Sequence, residues 1–155
     1  MLNRDYLDLL SAFSRHGVEY LLVGAYAMAV HGQPRATMDI DLWVRSAPEN
    51  AQRIVAALAE FGAPPEACDP RPYQVPGTVI QIGVAPRRID LLTRIDGVEF
   101  DSACARAIGV EVNGLRVPTI GLDDLIANKR ATGRAQDRLD ADRLAGRTRD
   151  SDSGT

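Results

Sequence analysis

Two aspartates one residue apart inside an apolar run constrain this chain more than any other feature. The run is Met38-Asp39-Ile40-Asp41-Leu42-Trp43-Val44. Its alternation predicts a strand, in which residues i and i+2 share a face about 7 Å apart. Ile40, Leu42 and Val44 then point toward a core, while Asp39, Asp41 and Trp43 point the other way. Two carboxylates on one face of a half-buried strand repel each other and resist desolvation. A hydrophobic core gains nothing from such a pair, whereas a divalent cation does. Trp43, on the same face, either flanks that site or covers a sheet edge.

The rest of the chain alternates helical and extended patterns. Leu2, Tyr6, Leu9, Leu10 and Phe13 recur at helical spacing, predicting an amphipathic helix over 3–16 that stops at Gly17. His16, in its last turn, reads as a dipole partner rather than a catalyst. Residues 19–23 read as a strand that ends at Gly24, followed by a helical run over 25–30. A glycine between strand and helix lets the backbone approach a ligand closely, and the next N–H groups face a phosphate. Gly32 and Pro34 mark 31–37 as a loop. His31 either holds that loop or contacts a nucleotide, and Arg35 and Thr37 bring polar groups to the mouth of the acid-bearing strand.

A helix over 48–61 follows, with Ser46 as N-cap, Pro48 in the first turn and Gly62 as its stop. Five prolines make 63–76 mostly loop. Residues 78–84 and 87–92 read as an antiparallel hairpin, with Asp90 between Ile89 and Leu91 on the second strand. Beside Asp39 and Asp41 on a neighbouring strand, Asp90 completes a metal-binding triad. One or two helical turns fall in 101–107, and a hairpin over 110–117 turns on Asn113-Gly114. Helices over 122–132 and 136–144 close the pattern. The apolar stripe of the last one (Leu139, Ala141, Leu144) is thin and leaves room for a partner chain or a second copy. Residues 147–155 lack apolar side chains and are expected to fray.

At 155 residues, 45% apolar and 25% charged, the chain fits one domain over 1–146 with a helical segment at 121–146. No apolar run approaches the roughly 20 residues that span a bilayer. The first residues carry Asp5 and Asp8 and no signal-peptide core, which predicts a cytoplasmic protein with no membrane contact. Cys68 and Cys104 have no Cys or His at metal-ligand spacing, so they predict free thiols, one or both buried, rather than zinc. The net charge of −3 is uneven: 129–150 holds seven basic and four acidic side chains. That stretch suits a phosphate-bearing partner or a solvated helix face with acid–base pairs.

Three acids on neighbouring strands suit one or two Mg²⁺ ions. With a phosphate-facing glycine and candidate cations Arg35, Arg88 and Lys129, they suit transfer from a nucleoside triphosphate to a hydroxyl. Gly24-Ala25, Asp39-Ile40-Asp41 and Arg88-Ile89-Asp90 together resemble the nucleotidyltransferase superfamily, of polymerase-beta-like fold. The block V-G-A-Y-A-M-A-V-H-G-Q-P-R-A-T-M-D-I-D-L, from Val23 to Leu42, is similar to bacterial nucleotidyltransferases of the AbiEii type. Lys129, Arg134 and Asp137 resemble that group's K-x-x-x-x-R-x-x-D segment.

The resemblance implies an α/β (α+β) fold: a mixed, mainly antiparallel sheet flanked by helices, with C-terminal helices. It implies that Asp39, Asp41 and Asp90 bind Mg²⁺ and carry catalysis. Gly24, Ala25, Arg35, Thr37, Arg88 and Lys129 would bind the nucleotide, and Asp137 would hold the helical segment. The implied reaction moves NMP from an NTP such as ATP to a protein, a tRNA or a small-molecule hydroxyl. A toxin–antitoxin role with a cognate partner is implied as well. The family usually has Gly or Ser after the first glycine. Ala25 stands there in this chain, so a phosphate-touching hydroxyl is missing while the backbone N–H remains. The alternative reading is a catalytically weak nucleotide- or partner-binding module, antitoxin-like, with the same fold.

Overall fold

Helix α1 (Arg4–Arg15) starts where the Asn3 side chain accepts a hydrogen bond from the Tyr6 amide, 2.9 Å away. The computed structural model describes residues 2–153, with side chains described to Gly146. After α1 come β1 (Tyr20–Val23), α2 (Gly24–Val30), β2 (Asp39–Val44) and α3 (Pro48–Phe61). Then follow β3 (Val79–Ile82), β4 (Arg88–Leu92), α4 (Phe100–Ala105), β5 (Ile108–Val112) and β6 (Leu115–Thr119). Helices α5 (Leu122–Ala131) and α6 (Ala135–Ser153) end the described chain. The expectation of a frayed tail over 147–155 falls on residues whose side chains, and at 154–155 the backbone too, lie outside the described residues.

The strands form one mixed sheet in the order β3-β4-β2-β1-β6-β5. The pairs β1/β2, β3/β4 and β5/β6 are antiparallel, and β2/β4 and β1/β6 are parallel. Both expected hairpins are present, the second turning on Asn113-Gly114. The acid-bearing strand β2 is central, so Trp43 does not cover an edge.

The parity of β2 divides the core in two. Ile40, Leu42 and Val44 join Tyr20 and Leu22 against α1 and α3, where Phe13, Ile54 and Leu58 are fully buried. Each such side chain contributes roughly 1.5–3 kcal/mol. Trp43, Leu21 and Val23 face the opposite side, against Ala27 and Met28 of α2, Leu125 of α5 and Leu144 of α6. That second cover ends before Asp39 and Asp41, which remain half-buried. The sheet is thus closed on one face and open at the acids on the other.

Three local expectations change. Ser46 does not cap α3; Ala47 holds that position and no side chain caps it. Ser46 stands one residue before the cap position, so its hydroxyl does not serve the N2 and N3 amides that a cap side chain accepts from. Asn50 instead ties the junction, accepting from the Glu19 amide and donating to the Glu19 and Arg45 carbonyls. The proline-rich stretch is not open loop. It folds into 3₁₀ turns at Pro65–Cys68 and Pro72–Gln74, anchored by buried Tyr73 donating to the Ala67 carbonyl at 2.6 Å. Proline presets the φ that such turns need. The two thiols are free, but Cys68 is half-buried and Cys104 exposed, so neither is fully buried. Among the described residues no helix is long and apolar enough to cross a membrane.

One contact links the closed face to the open one. The buried Tyr6 hydroxyl lies 2.9 Å from the Arg88 carbonyl and 3.2 Å from that of Pro86, where β4 begins. Tyr6→Phe removes the donor and keeps the ring. It is expected to lower stability by about 1 kcal/mol, read as a shift in urea midpoint at unchanged m-value.

Candidate active site

Register builds the site. Parallel pairing of β2 with β4 sets Asp41 opposite Asp90 and Asp39 opposite Arg88. Neighbouring strands stand only about 4.8 Å apart, and the three acids share one face. One carboxylate oxygen from each of Asp39, Asp41 and Asp90 lies within 4.8 Å of the other two. Arg88 bridges the group, with Nη2 2.6 Å from Asp39 Oδ2 and 3.2 Å from Asp90 Oδ2. Its Nε stands 3.2 Å from Asp90 Oδ1, close enough for an ion pair but out of line for a hydrogen bond. The Thr37 hydroxyl donates to Asp39 Oδ1 at 2.8 Å.

Gly24 closes the floor. A Cβ at this position would stand 2.1 Å from Asp41 Oδ2, so only glycine fits behind the acid. Its φ of +70° also favours glycine.

The electrostatics follow from crowding. Burial, then the charges of Asp39 and Asp90, push the Asp41 carboxyl up to about 7. Burial raises Asp90 too, with Arg88 opposing and Asp39 adding to the rise. Tyr26 is raised by burial and by the nearby Asp39 charge. One guanidinium does not neutralise three carboxylates, and buried Asp90 Oδ1 has no hydrogen-bond partner. All-oxygen donors with excess negative charge are what a hard divalent cation takes. The residues present therefore fit a metal ion.

From the triad a cleft of about 360 Å³ runs toward the C-terminal helices. Gly24 and Asp41 line one end, and Lys129 and Arg134 line the other, with Arg94 at its edge. Lys129 Nζ is 3.2 Å from Asp137 Oδ1 and 3.5 Å from Asp140 Oδ2. Burial pushes the Asp137 carboxyl up, but the Thr132 hydroxyl, Lys129 and Arg134 outweigh it and hold it below the ordinary range. Asp137 thereby joins α5 to α6.

The structure thus brings Gly24, Thr37, Asp39, Asp41, Arg88 and Asp90 together and sets Lys129 across the cleft. Ala25 follows Gly24 in the first turn of α2. Arg35 stands elsewhere, its Nη1 2.6 Å from Asp140 on α6. The His31 Nε2–H donates to the Ile120 carbonyl at 2.8 Å, which fits a loop-holding role. Arg94 lines the cleft although no sequence pattern marks it: it follows the last residues of β4 in a polar stretch.

No protein-family model and no curated protein sequence matches the chain. Solved structures do. TM1012 of Thermotoga maritima, provisionally described as a nucleotidyltransferase, superposes with a TM-score of 0.58 at 14% identity, over 97% of this chain and 96% of its own. The solution structure of the antibiotic-resistance factor ANT(2″)-Ia gives a TM-score of 0.56 at 12% identity, over 93% of this chain and 82% of its own. ANT(2″)-Ia crystallised with adenylyl-2″-tobramycin gives 0.56 at 13%, over 92% and 86%. The sheet, its flanking helices and the acid-bearing central strands have the nucleotidyltransferase fold.

Proposed function

We propose that the chain is a Mg²⁺-dependent nucleotidyltransferase that moves NMP from an NTP to an acceptor hydroxyl. The observation that carries this reading is the approach of Asp39, Asp41 and Asp90 to within 4.8 Å beside a cleft whose lining includes Arg94, Lys129 and Arg134. In the reaction the acceptor oxygen forms a bond to the α-phosphorus. The bond from that phosphorus to the bridging oxygen breaks, and pyrophosphate leaves with the electron pair. Asp90 takes the hydroxyl proton. A divalent ion held by Asp39, Asp41 and Asp90 supplies charge neutralisation and a more acidic acceptor hydroxyl. Gly24 and Ala25 offer backbone N–H groups to phosphate, while Lys129 and Arg134 face the pyrophosphate charge. Thr37 fixes the orientation of Asp39, and Arg35 anchors the preceding loop to α6 through Asp140.

The acceptor is a small molecule, a protein or a tRNA. The tobramycin adduct of ANT(2″)-Ia supports the first, and the AbiEii-type resemblance, with its toxin–antitoxin setting, supports the others. One observation favours a second reading, that of a binding module with little turnover. Arg88 already occupies oxygens of Asp39 and Asp90 and competes with an entering ion.

Labelled-NTP transfer into a lysate of the source cells separates the two. Label incorporated with Mg²⁺ and any one NTP, and lost in Asp90→Asn, is the expected result. Tight NTP binding by calorimetry without incorporation from any NTP selects the binding module instead.

A further inference from the structure

A second cavity, about 780 Å³, adjoins the triad cleft on the same face of the sheet. The two share Arg94 and Ile95 at their common lip. Trp43 and Phe100 form its aromatic wall, their rings edge-to-face at 5.0 Å. The Arg45 guanidinium stacks 4.8 Å from the Phe100 centroid and is compensated by Glu19 and Asp101.

Two lining residues carry buried polar atoms with no hydrogen-bond partner, Trp43 Nε1 and Ser46 Oγ. Trp43 is only 2% exposed, and no described protein group accepts from its N–H. Such orphaned groups are rare and costly. An indole N–H can only donate, and a hydroxyl donates readily. Arg94 is exposed and makes no ion pair or side-chain hydrogen bond among the described residues. Glu99 is the one acid in the wall. Donors and an uncompensated cation beside an aromatic wall select a ligand with acceptor oxygens, negative charge and a flat apolar part.

We propose that this cavity is the acceptor subsite, and that it takes a small anionic hydroxyl compound, a carboxylate or phosphate ester, rather than a polyamine. The inference rests on the transferase reading above and narrows its acceptor class. Arg94, at the shared lip, orients the anion so that the ligand's hydroxyl faces the triad.

Trp43 is the single tryptophan, so its emission reads this cavity directly. Phenyl phosphate serves as probe and tobramycin as the cationic control. Titrating the full chain with phenyl phosphate should change the emission saturably. Affinity should fall roughly tenfold or more in Arg94→Glu and by less in Arg94→Ala, each checked for folding by circular dichroism. Tobramycin should give no saturable change. Binding of phenyl phosphate to the full chain should persist under saturating Mg²⁺ and a non-hydrolysable ATP analogue.

Absence of saturation, unchanged affinity in both Arg94 variants, saturation by tobramycin instead, or displacement by the ATP analogue would each overturn the proposal. The titration needs no turnover. A chain that fails to transfer NMP can still pass it, and a chain that transfers NMP can still fail it.

Discussion

Asp41→Asn is expected to abolish NMP transfer and, at the same time, to stabilise the metal-free protein. The two effects have one cause. Asp41 is held against Asp39 and Asp90 in a half-buried site, and its carboxyl is pushed up to about 7 from an ordinary value of 3.8. The folded chain therefore binds more protons than the unfolded chain between pH ~4 and ~7. Stability falls as pH rises through that window, and the cost is fully present above it. A tenfold change in proton affinity corresponds to about 1.4 kcal/mol, so the cost, with the opposing charge of Arg88 already included, is on the order of a few kcal/mol.

Asparagine carries no charge and can donate to its neighbours, so the cost disappears. Thermal unfolding at pH 8 without metal should show the variant several degrees above wild type, at roughly 2–4 °C per kcal/mol for a chain of this size. At pH 4 the difference should vanish. Mg²⁺ should raise the wild-type midpoint and close the gap, because an ion that binds only the folded state stabilises it. Transfer should fall roughly a thousandfold or more, about 4 kcal/mol of transition-state stabilisation. An equal midpoint difference at both pH values would remove the electrostatic explanation, and full transfer by the variant would remove Asp41 from the site.

Much of this arrangement is legible in the residue pattern because it depends on parity. Period-two alternation puts Asp39 and Asp41 on one face and Ile40, Leu42 and Val44 on the other, whatever strand lies next door. Asp90 is legible for the same reason. What parity cannot supply is adjacency. The pairing of Asp41 with Asp90 exists because β4 crosses back to lie parallel beside β2, with β3 outside it. No local signal in the β3–β4 hairpin specifies which of its strands lies beside β2.

Arg35 illustrates the same limit. Its cation is legible near the acids, but its partner, Asp140, lies 105 residues away on α6. Ser46 is a reasonable cap by local rules, yet the helix starts one residue later, with Ala47 at the cap position, and the Ser46 hydroxyl ends in the wall of a cavity. Arg94 has no pattern at all. Its place at the lip between cleft and cavity follows from where β4 ends, which only the assembled sheet determines.

Gly24→Ala is the substitution expected to do the most damage for the fewest atoms. The backbone cost comes first: at φ +70° an L side chain is strained by roughly 1–2 kcal/mol. The new Cβ would then stand 2.1 Å from Asp41 Oδ2 and 3.0 Å from both Cβ and Cγ of that residue. Asp41 cannot yield as a whole, because its backbone is paired with Val23 on one side and Asp90 on the other. Only its carboxylate can turn, and turning takes it out of the triad. Transfer should therefore drop roughly a hundredfold or more, and the Mg²⁺-induced rise in melting temperature should shrink with it.

Gly77→Ala is the matched control. It has a φ of +83° with open space where its Cβ would go. It should lower stability by a similar backbone term of about 1 kcal/mol while leaving transfer and the Mg²⁺ response intact. If both variants lose stability and only Gly24→Ala loses the metal response, the loss lies in the contact with Asp41 and not in a weakened fold. If both keep it, Gly24 is an ordinary turn residue and the floor of the site must be sought elsewhere.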